Sequence, residues 1–112
     1  HNVTIDDQSK NIQVQTMGGQ LCKLDDQARK ITLSATGEID LTAPQKITLK
    51  VGGTSAELSL SNLTLKMGGN TIDMSPSGIN VNAAGVAGFK GATTTIQGMS
   101  NVTVSAPSIM LM

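Results

Sequence analysis

An apolar-x-apolar triplet returns every eight residues through positions 31–53: Ile31/Leu33, Ile39/Leu41 and Ile47/Leu49, each pair flanking a polar residue, Thr32, Asp40 or Thr48. Alternation at two-residue spacing marks a strand with one dry face and one wet face. The linkers between triplets, SATGE and TAPQK, are small, polar and punctuated by Gly37 and Pro44. They are long enough to turn a corner and too short to hold a crossover helix. The chain is therefore expected to be all-β and to coil through short strands that cannot stand alone.

Two internal repeats extend this pattern. VTIDDQSKNIQVQT at 3–16 lies on CKLDDQARKITLSA at 22–35 with a register of 19 residues, and both copies read as strand, polar corner, strand. ITLKVGGTSAELSLSNLTL at 47–65 overlays LTLKMGGNTIDMSPSGINV at 63–81 with an offset of 16, two octads. The overlay pairs Lys50 with Lys66, Gly52-Gly53 with Gly68-Gly69, Glu57 with Asp73 and Leu58 with Met74. Repetition of one short unit predicts stacked coils. The side chains expected to face the core are Ile31, Leu33, Ile39, Leu41, Ile47, Leu49, Leu63, Leu65, Ile72, Met74, Ile79 and Val81, with Thr32, Asp40, Thr48 and Thr64 facing water.

A compact monomer of this composition has little to fill its core. Among 112 residues Phe89 is the one aromatic, with no Trp or Tyr. Acidic and basic residues balance at eight each, which argues against an electrostatic partner such as nucleic acid. One cysteine cannot form an internal disulfide, and no apolar run reaches the length of a membrane span or signal sequence. A start at His1 rather than Met reads as a piece of a longer protein.

Three features invite a chemical reading, and each has a plainer one. The pairs Asp6-Asp7 and Asp25-Asp26 could supply oxygens to calcium or act as paired carboxylates, but an Asp pair entering a turn more simply caps backbone amides. Gly-Gly pairs cradle phosphates where a strand meets a helix N-terminus; here strand-like alternation follows, so they serve corners or close backbone approach. The third pair, Gly18-Gly19, puts Cys22 in register with Ala56 and Ile72, apolar strand positions, which predicts a small buried filler with no base to activate it. No catalytic, cofactor-binding or metal-ligating residue is expected.

From about Ser75 the character changes. After Asp73 the only charge is Lys90, and a Gly- and Ala-rich patch at 83–92 interrupts triplets at Ile79/Val81, Thr94/Ile96, Val102/Val104 and Ile109/Leu111. Small residues there would narrow the cross-section, so 83–112 reads as a thin, nearly uncharged tip on one shaft spanning 1–112. Its closing Ile109, Met110, Leu111 and Met112 would form an apolar, partner-binding end.

Taken together, LKVGGTSAELSL and LKMGGNTIDMSPSGINV, with the pattern strand, Gly-Gly, strand, Pro-Ser-Gly, strand, and the Ala/Gly-rich stretch after them resemble the C-terminal β-helical shaft of VgrG spike proteins of type VI secretion systems. They also resemble the related central spikes of contractile phage tails. The resemblance implies a homotrimer, an intertwined triple-stranded β-helix shaped as a triangular prism and built from approximate octapeptides, whose work is mechanical puncture of a target membrane. It further implies a PAAR-repeat cap or an effector at the C-terminal tip, and a life in the bacterial cytoplasm before firing and in the target cell after it. Some phage relatives hold a tip metal through His-x-His sequences; the only histidine here is His1, which ranks the phage spike behind VgrG.

Threefold winding agrees with the residues, because three copies of each inward Ile or Leu stack into a dry column while an inward charge would meet two of its kind. Two other classes share the periodicity. Three octads make about 24 residues, close to one coil of a single-chain β-helix such as polysaccharide-degrading enzymes use. Against that reading stand the turn positions of the Asp pairs and the lack of aromatic platforms for sugar. A trimeric adhesin or tailspike stalk would share the fold and differ in its partners.

Overall fold

The computed structural model describes all of residues 1–112, as nine β-strands and no helix. Two compact units divide the chain, His1–Ile47 and Thr48–Met112. The first holds a four-stranded sheet of β1 (Asn2–Asp6), β2 (Asn11–Gln15), β3 (Leu21–Asp25) and β4 (Lys30–Ser34), ordered as in the sequence and antiparallel throughout. Cross-strand partners share a face, so the register builds two apolar rungs on one side: Val3, Val14, Cys22, Leu33 and Ile5, Ile12, Leu24, Ile31. The other side carries Thr4, Gln13, Lys23 and Thr32 in one rung and Asp6, Asn11, Asp25 and Lys30 in the next.

In the second unit the sheet runs β5 (Lys46–Val51), β6 (Thr54–Ser59), β7 (Leu63–Met67), β8 (Asn70–Ser75) and β9 (Gly78–Asn82), each strand bonded to the next. Its apolar rungs are Ala56, Leu65, Ile72, Val81 and Leu58, Leu63, Met74, Ile79. Its polar rungs are Ser55, Lys66, Thr71, Asn82 and Glu57, Thr64, Asp73, Asn80. Rungs that are apolar or polar across every strand are what alternation plus a matched register produces; the exceptions lie in the end rungs, with Leu21 between Gln15 and Ser34, and Met67 between Thr54 and Asn70.

Turn chemistry sets that register. Gly52-Gly53 and Gly68-Gly69 are two-residue hairpin loops whose first glycine has positive φ, 55° and 56°, the arrangement of a type II′ turn. In the first unit the loops at 7–10 and 26–29 are longer and end on Lys10 and Arg29 in the left-handed region, at 50° and 52°. The Asp6 carboxylate opens its loop by accepting from Gln8 and Ser9 N–H at 3.0 and 3.1 Å, and Asp25 accepts from Ala28 N–H at 3.0 Å. Both acidic pairs thus place their first member as a turn cap.

Two expectations change. The chain does not coil through the strand region; successive strands fold back on each other as antiparallel meanders, because the loops within each sheet are two to five residues long and so short a loop can only reverse a strand. The triplets Ile39/Leu41, Thr94/Ile96, Val102/Val104 and Ile109/Leu111 form no strand. Within one chain they have no neighbouring strand to bond with, and an extended segment becomes a strand only through a partner.

The two glycines of one hairpin loop should differ in tolerance. Gly52→Ala puts a Cβ into the left-handed region and is expected to destabilise by about 1–2 kcal/mol. Gly53→Ala, with open space around its Cβ and no positive φ, should stay within about 0.5 kcal/mol of the parent. Thermal unfolding of both variants checks the difference.

Candidate functional site

No residue of either unit is buried. Burial is moreover inverted with respect to polarity. In the central strands the polar side chains Gln13, Lys23, Thr64, Thr71 and Asp73 are half-buried, whereas Ile12, Val14, Leu24, Leu65, Ile72 and Met74 are exposed. The chain leaves 10117 Å² accessible, against about 5,800 Å² for a folded monomer of its mass. By the same scaling it buries about 40% of its unfolded surface where about 65% is usual.

The polar sides are finished by their own residues. Lys23 Nζ stands 3.1 Å from Asp25 Oδ2. Asn62 Nδ2 donates to Thr64 Oγ1 at 3.0 Å and to Asp73 Oδ1 at 3.1 Å, and Thr64 Oγ1 donates to the same oxygen at 2.9 Å. Ser59 Oγ closes the cluster on Asn62 Oδ1 at 2.7 Å. The Ala28 N–H, then the Lys23 ammonium, hold the Asp25 carboxyl below its ordinary value, and the Ser9 backbone and hydroxyl do the same for Asp6. These are turn and surface electrostatics; no group of three or more His, Cys, Asp or Glu is placed to hold a metal ion.

The apolar sides are open, and each is overhung by the segment that leaves its sheet. After β4 the chain passes Ala35, Glu38 and Ile39, which with Val14, Cys22 and Leu33 line a concavity of about 400 Å³. After β9 it passes Val86 and Phe89, which with Leu49, Ala56, Leu65, Ile72 and Val81 line one of about 760 Å³. One device holds both overhangs. Gln20 Oε1 accepts from Thr36 N–H at 3.0 Å and its Nε2 donates to Thr36 Oγ1 at 2.9 Å. Asn70 Oδ1 accepts from Ala84 N–H at 2.9 Å.

Each clamp follows a Gly-Gly pair, and the second glycine is where the overhang presses closest. A Cβ at Gly19 would meet Thr36 Cγ2 at 3.1 Å, and one at Gly69 would meet Ala84 Cβ at 3.1 Å. The middle pair, Gly52-Gly53, is followed by Thr54 instead of a carboxamide, and sixteen residues later the chain is still in the sheet, at Asn70. Gly-Gly-Gln and Gly-Gly-Asn against Gly-Gly-Thr was thus a signal present in the sequence, and the repeat alignment passed over it.

The residues expected to face a core fall as follows. Ile31 and Leu33 lie on the apolar face of the first sheet, and Leu63, Leu65, Ile72, Met74, Ile79 and Val81 on that of the second. Ile47 and Leu49 lie on β5, and Ile39 and Leu41 lie outside the strands. Cys22, expected as a buried filler, is exposed, because the segment that overhangs the rung it shares with Val14 and Leu33 leaves an open concavity there. At the C-terminal end Ile109, Met110, Leu111 and Met112 are all exposed.

No protein-family model and no curated protein matches the chain. Among solved structures it is similar to a chain of a PdpA–VgrG complex in lidless form, with 22% identity, coverage of 99% of this chain and 96% of that one, and a TM-score of 0.49. At that degree of likeness this chain's own residues must carry any functional reading.

The clamps predict a local effect. Gln20→Ala and Asn70→Ala should leave strand content unchanged and speed hydrogen exchange at the Thr36 and Ala84 amides by about tenfold, the loss of one hydrogen bond. Exchange followed by NMR checks each site against the amides of β3 and β7.

Proposed function

We propose that this chain is a shaft segment of a non-enzymatic spike, three copies of which intertwine by their apolar faces into a triangular β-prism. The carrying observation is the inverted burial: each sheet completes its polar side with its own residues and leaves two full apolar rungs open. The excess of about 4,300 Å² over a monomer's accessible surface falls in the range that obligate homo-oligomers bury. Three as the number of copies, and the VgrG-like spike of a type VI secretion machine as the setting, follow from the resemblance of the Gly-Gly and Pro-Ser-Gly segments.

Such a prism derives rigidity from topology. In the strand regions each sheet is bonded within its own copy and the copies meet there by their apolar faces; interwinding is confined to 39–41 and 94–111, where ladders form between copies and must be broken before one copy can leave. A shaft driven through a bilayer needs that stiffness and no catalytic residue. In this reading the segments 39–41 and 94–111 gain in the neighbouring copies the strand partners that they lack in one chain. The spike is held in the bacterial cytoplasm until firing and then enters the target cell.

Sedimentation equilibrium should give three times the chain mass. Ile31→Asp should abolish the trimer, because three carboxylates forced into an apolar interface cost several kcal/mol each. Thr32→Asp, on the opposite face beside its cross-strand partner Lys23, should keep it. A monomer, or equal loss in both variants, would overturn the reading.

The nearly uncharged end is the docking site for a separate cap of the PAAR-repeat kind in this reading. Ile109, Met110, Leu111 and Met112, tripled by symmetry, form an apolar surface, and unbranched Met adapts to a partner without threefold symmetry. Calorimetry with a PAAR-repeat protein should show binding by the full chain and none by a chain ending at Ala106. Equal binding by both would remove the tip from the account.

A further inference from the structure

The cavity of about 760 Å³ in the second unit has both of its walls in one copy. Its floor is a rung of the sheet, from Leu49 on β5 to Val81 on β9, and its roof is the segment that leaves β9, with Val86 and Phe89. Folded proteins leave few voids larger than a water molecule between their own parts. An apolar gap of this size, with apolar side chains on the segment above it, is therefore an open state of something able to close.

The roof is the part free to move. Residues 83–92 read AAGVAGFKGA, so Val86 and Phe89 are the only large apolar side chains, each flanked by glycine or alanine. One end is pinned, by the Ala84 N–H on Asn70 Oδ1 at 2.9 Å and by the close approach of Ala84 to Gly69. Past the pin, a Cβ at Gly85 or Gly88 would meet nothing within 4 Å, so no atom packs against the backbone there. Val86 keeps 94% of its surface open and Phe89 81%, although both stand at the cavity.

Reach and shape agree with closure. The five residues from Ala84 to Phe89 span at most about 17 Å, and three strand spacings, from β9 to β6, come to about 14 Å. The rung on β6 has its low place, Ala56, next to Leu65 of β7 and with Leu49 of β5 lining the same cavity. We propose that the strap 85–89 closes on the sheet of its own copy, seating Phe89 over Ala56 with Val86 beside it, and opens about the pin at Ala84. Burial of one Phe and one Val drives the closure, and an intramolecular step costs no entropy of association. Closed, the strap covers the Ala56 rung and leaves Leu58, Leu63, Met74 and Ile79 bare. It then occupies part of the face by which copies are proposed to meet, and so acts as a brake on assembly. The brake rests on the homo-oligomeric reading above; the closure does not. A strap closed about nine-tenths of the time leaves about a tenth of the copies ready to associate, a slowing of about tenfold.

The test uses the full chain with Phe89→Trp, whose emission reports the strap alone because the chain has no other Trp or Tyr. At a dilution where the chain sediments as a single copy, blue-shifted emission is expected, moving to the red when Ala56→Leu fills the seat. Red emission from the single copy with Ala56 in place overturns the closure, as does a blue shift that Ala56→Leu leaves unchanged. Strand content by circular dichroism checks that Ala56→Leu folds; Ala56→Val, with a residue favoured in strands, replaces it if it does not. Phe89→Ser in the otherwise unchanged chain should associate about tenfold faster by light scattering after a jump in concentration. An unchanged or slower rate overturns the brake. A parent that stays single at every concentration overturns the homo-oligomeric reading instead, and the emission still decides the closure.

Discussion

Every sheet in this chain bonds each strand to the next and is left uncovered on one side. Alternation sends most polar side chains to one face, where several of them satisfy each other, and most apolar ones to the other, which the overhanging segments leave largely open. Each Ile or Leu kept in water forgoes about 1.5–3 kcal/mol of burial, and there are two such rungs on each sheet. The antiparallel hairpins are local and can form early, but their order as sheets depends on what covers them. If copies of the chain supply that cover, as proposed, folding and association are one equilibrium, and stability is inseparable from concentration.

How much of this could be read from residues alone depends on the range over which a residue acts. Strand positions and facing were legible at Ile31/Leu33, Leu63/Leu65, Ile72/Met74 and Ile79/Val81, because period-two alternation is a property of adjacent residues. The turn role of Asp6 and Asp25 was legible for the same reason. The pairing direction was not read correctly. Octads fit a coil and a meander equally, and the deciding signal was the two-residue Gly-Gly loop, which admits only a hairpin. Ile39/Leu41 carries the same alternation as its neighbours and forms no strand, because pairing is supplied from outside the segment.

The site was legible as a list of apolar residues and illegible as a geometry. That a carboxamide after Gly-Gly reaches fourteen or sixteen residues ahead to hold the departing chain is a tertiary fact, visible only when Gln20 and Thr36, or Asn70 and Ala84, are side by side. Phe89 drew attention in the sequence as the lone aromatic, a compositional weakness. Its place at the wall of an open cavity is a tertiary fact that its rarity alone could not suggest.

The hairpins of the second sheet repeat at sixteen residues, each closed by its own glycine turn and each returning the chain in the same direction with the same face outward. Loss or gain of one whole hairpin leaves every remaining rung intact, while a shift by a single residue would turn the downstream face over. Length in such a chain is therefore quantised. Duplication or loss of genetic material in units of one hairpin changes its reach without redesigning a contact, so evolution can adjust reach and interface chemistry independently.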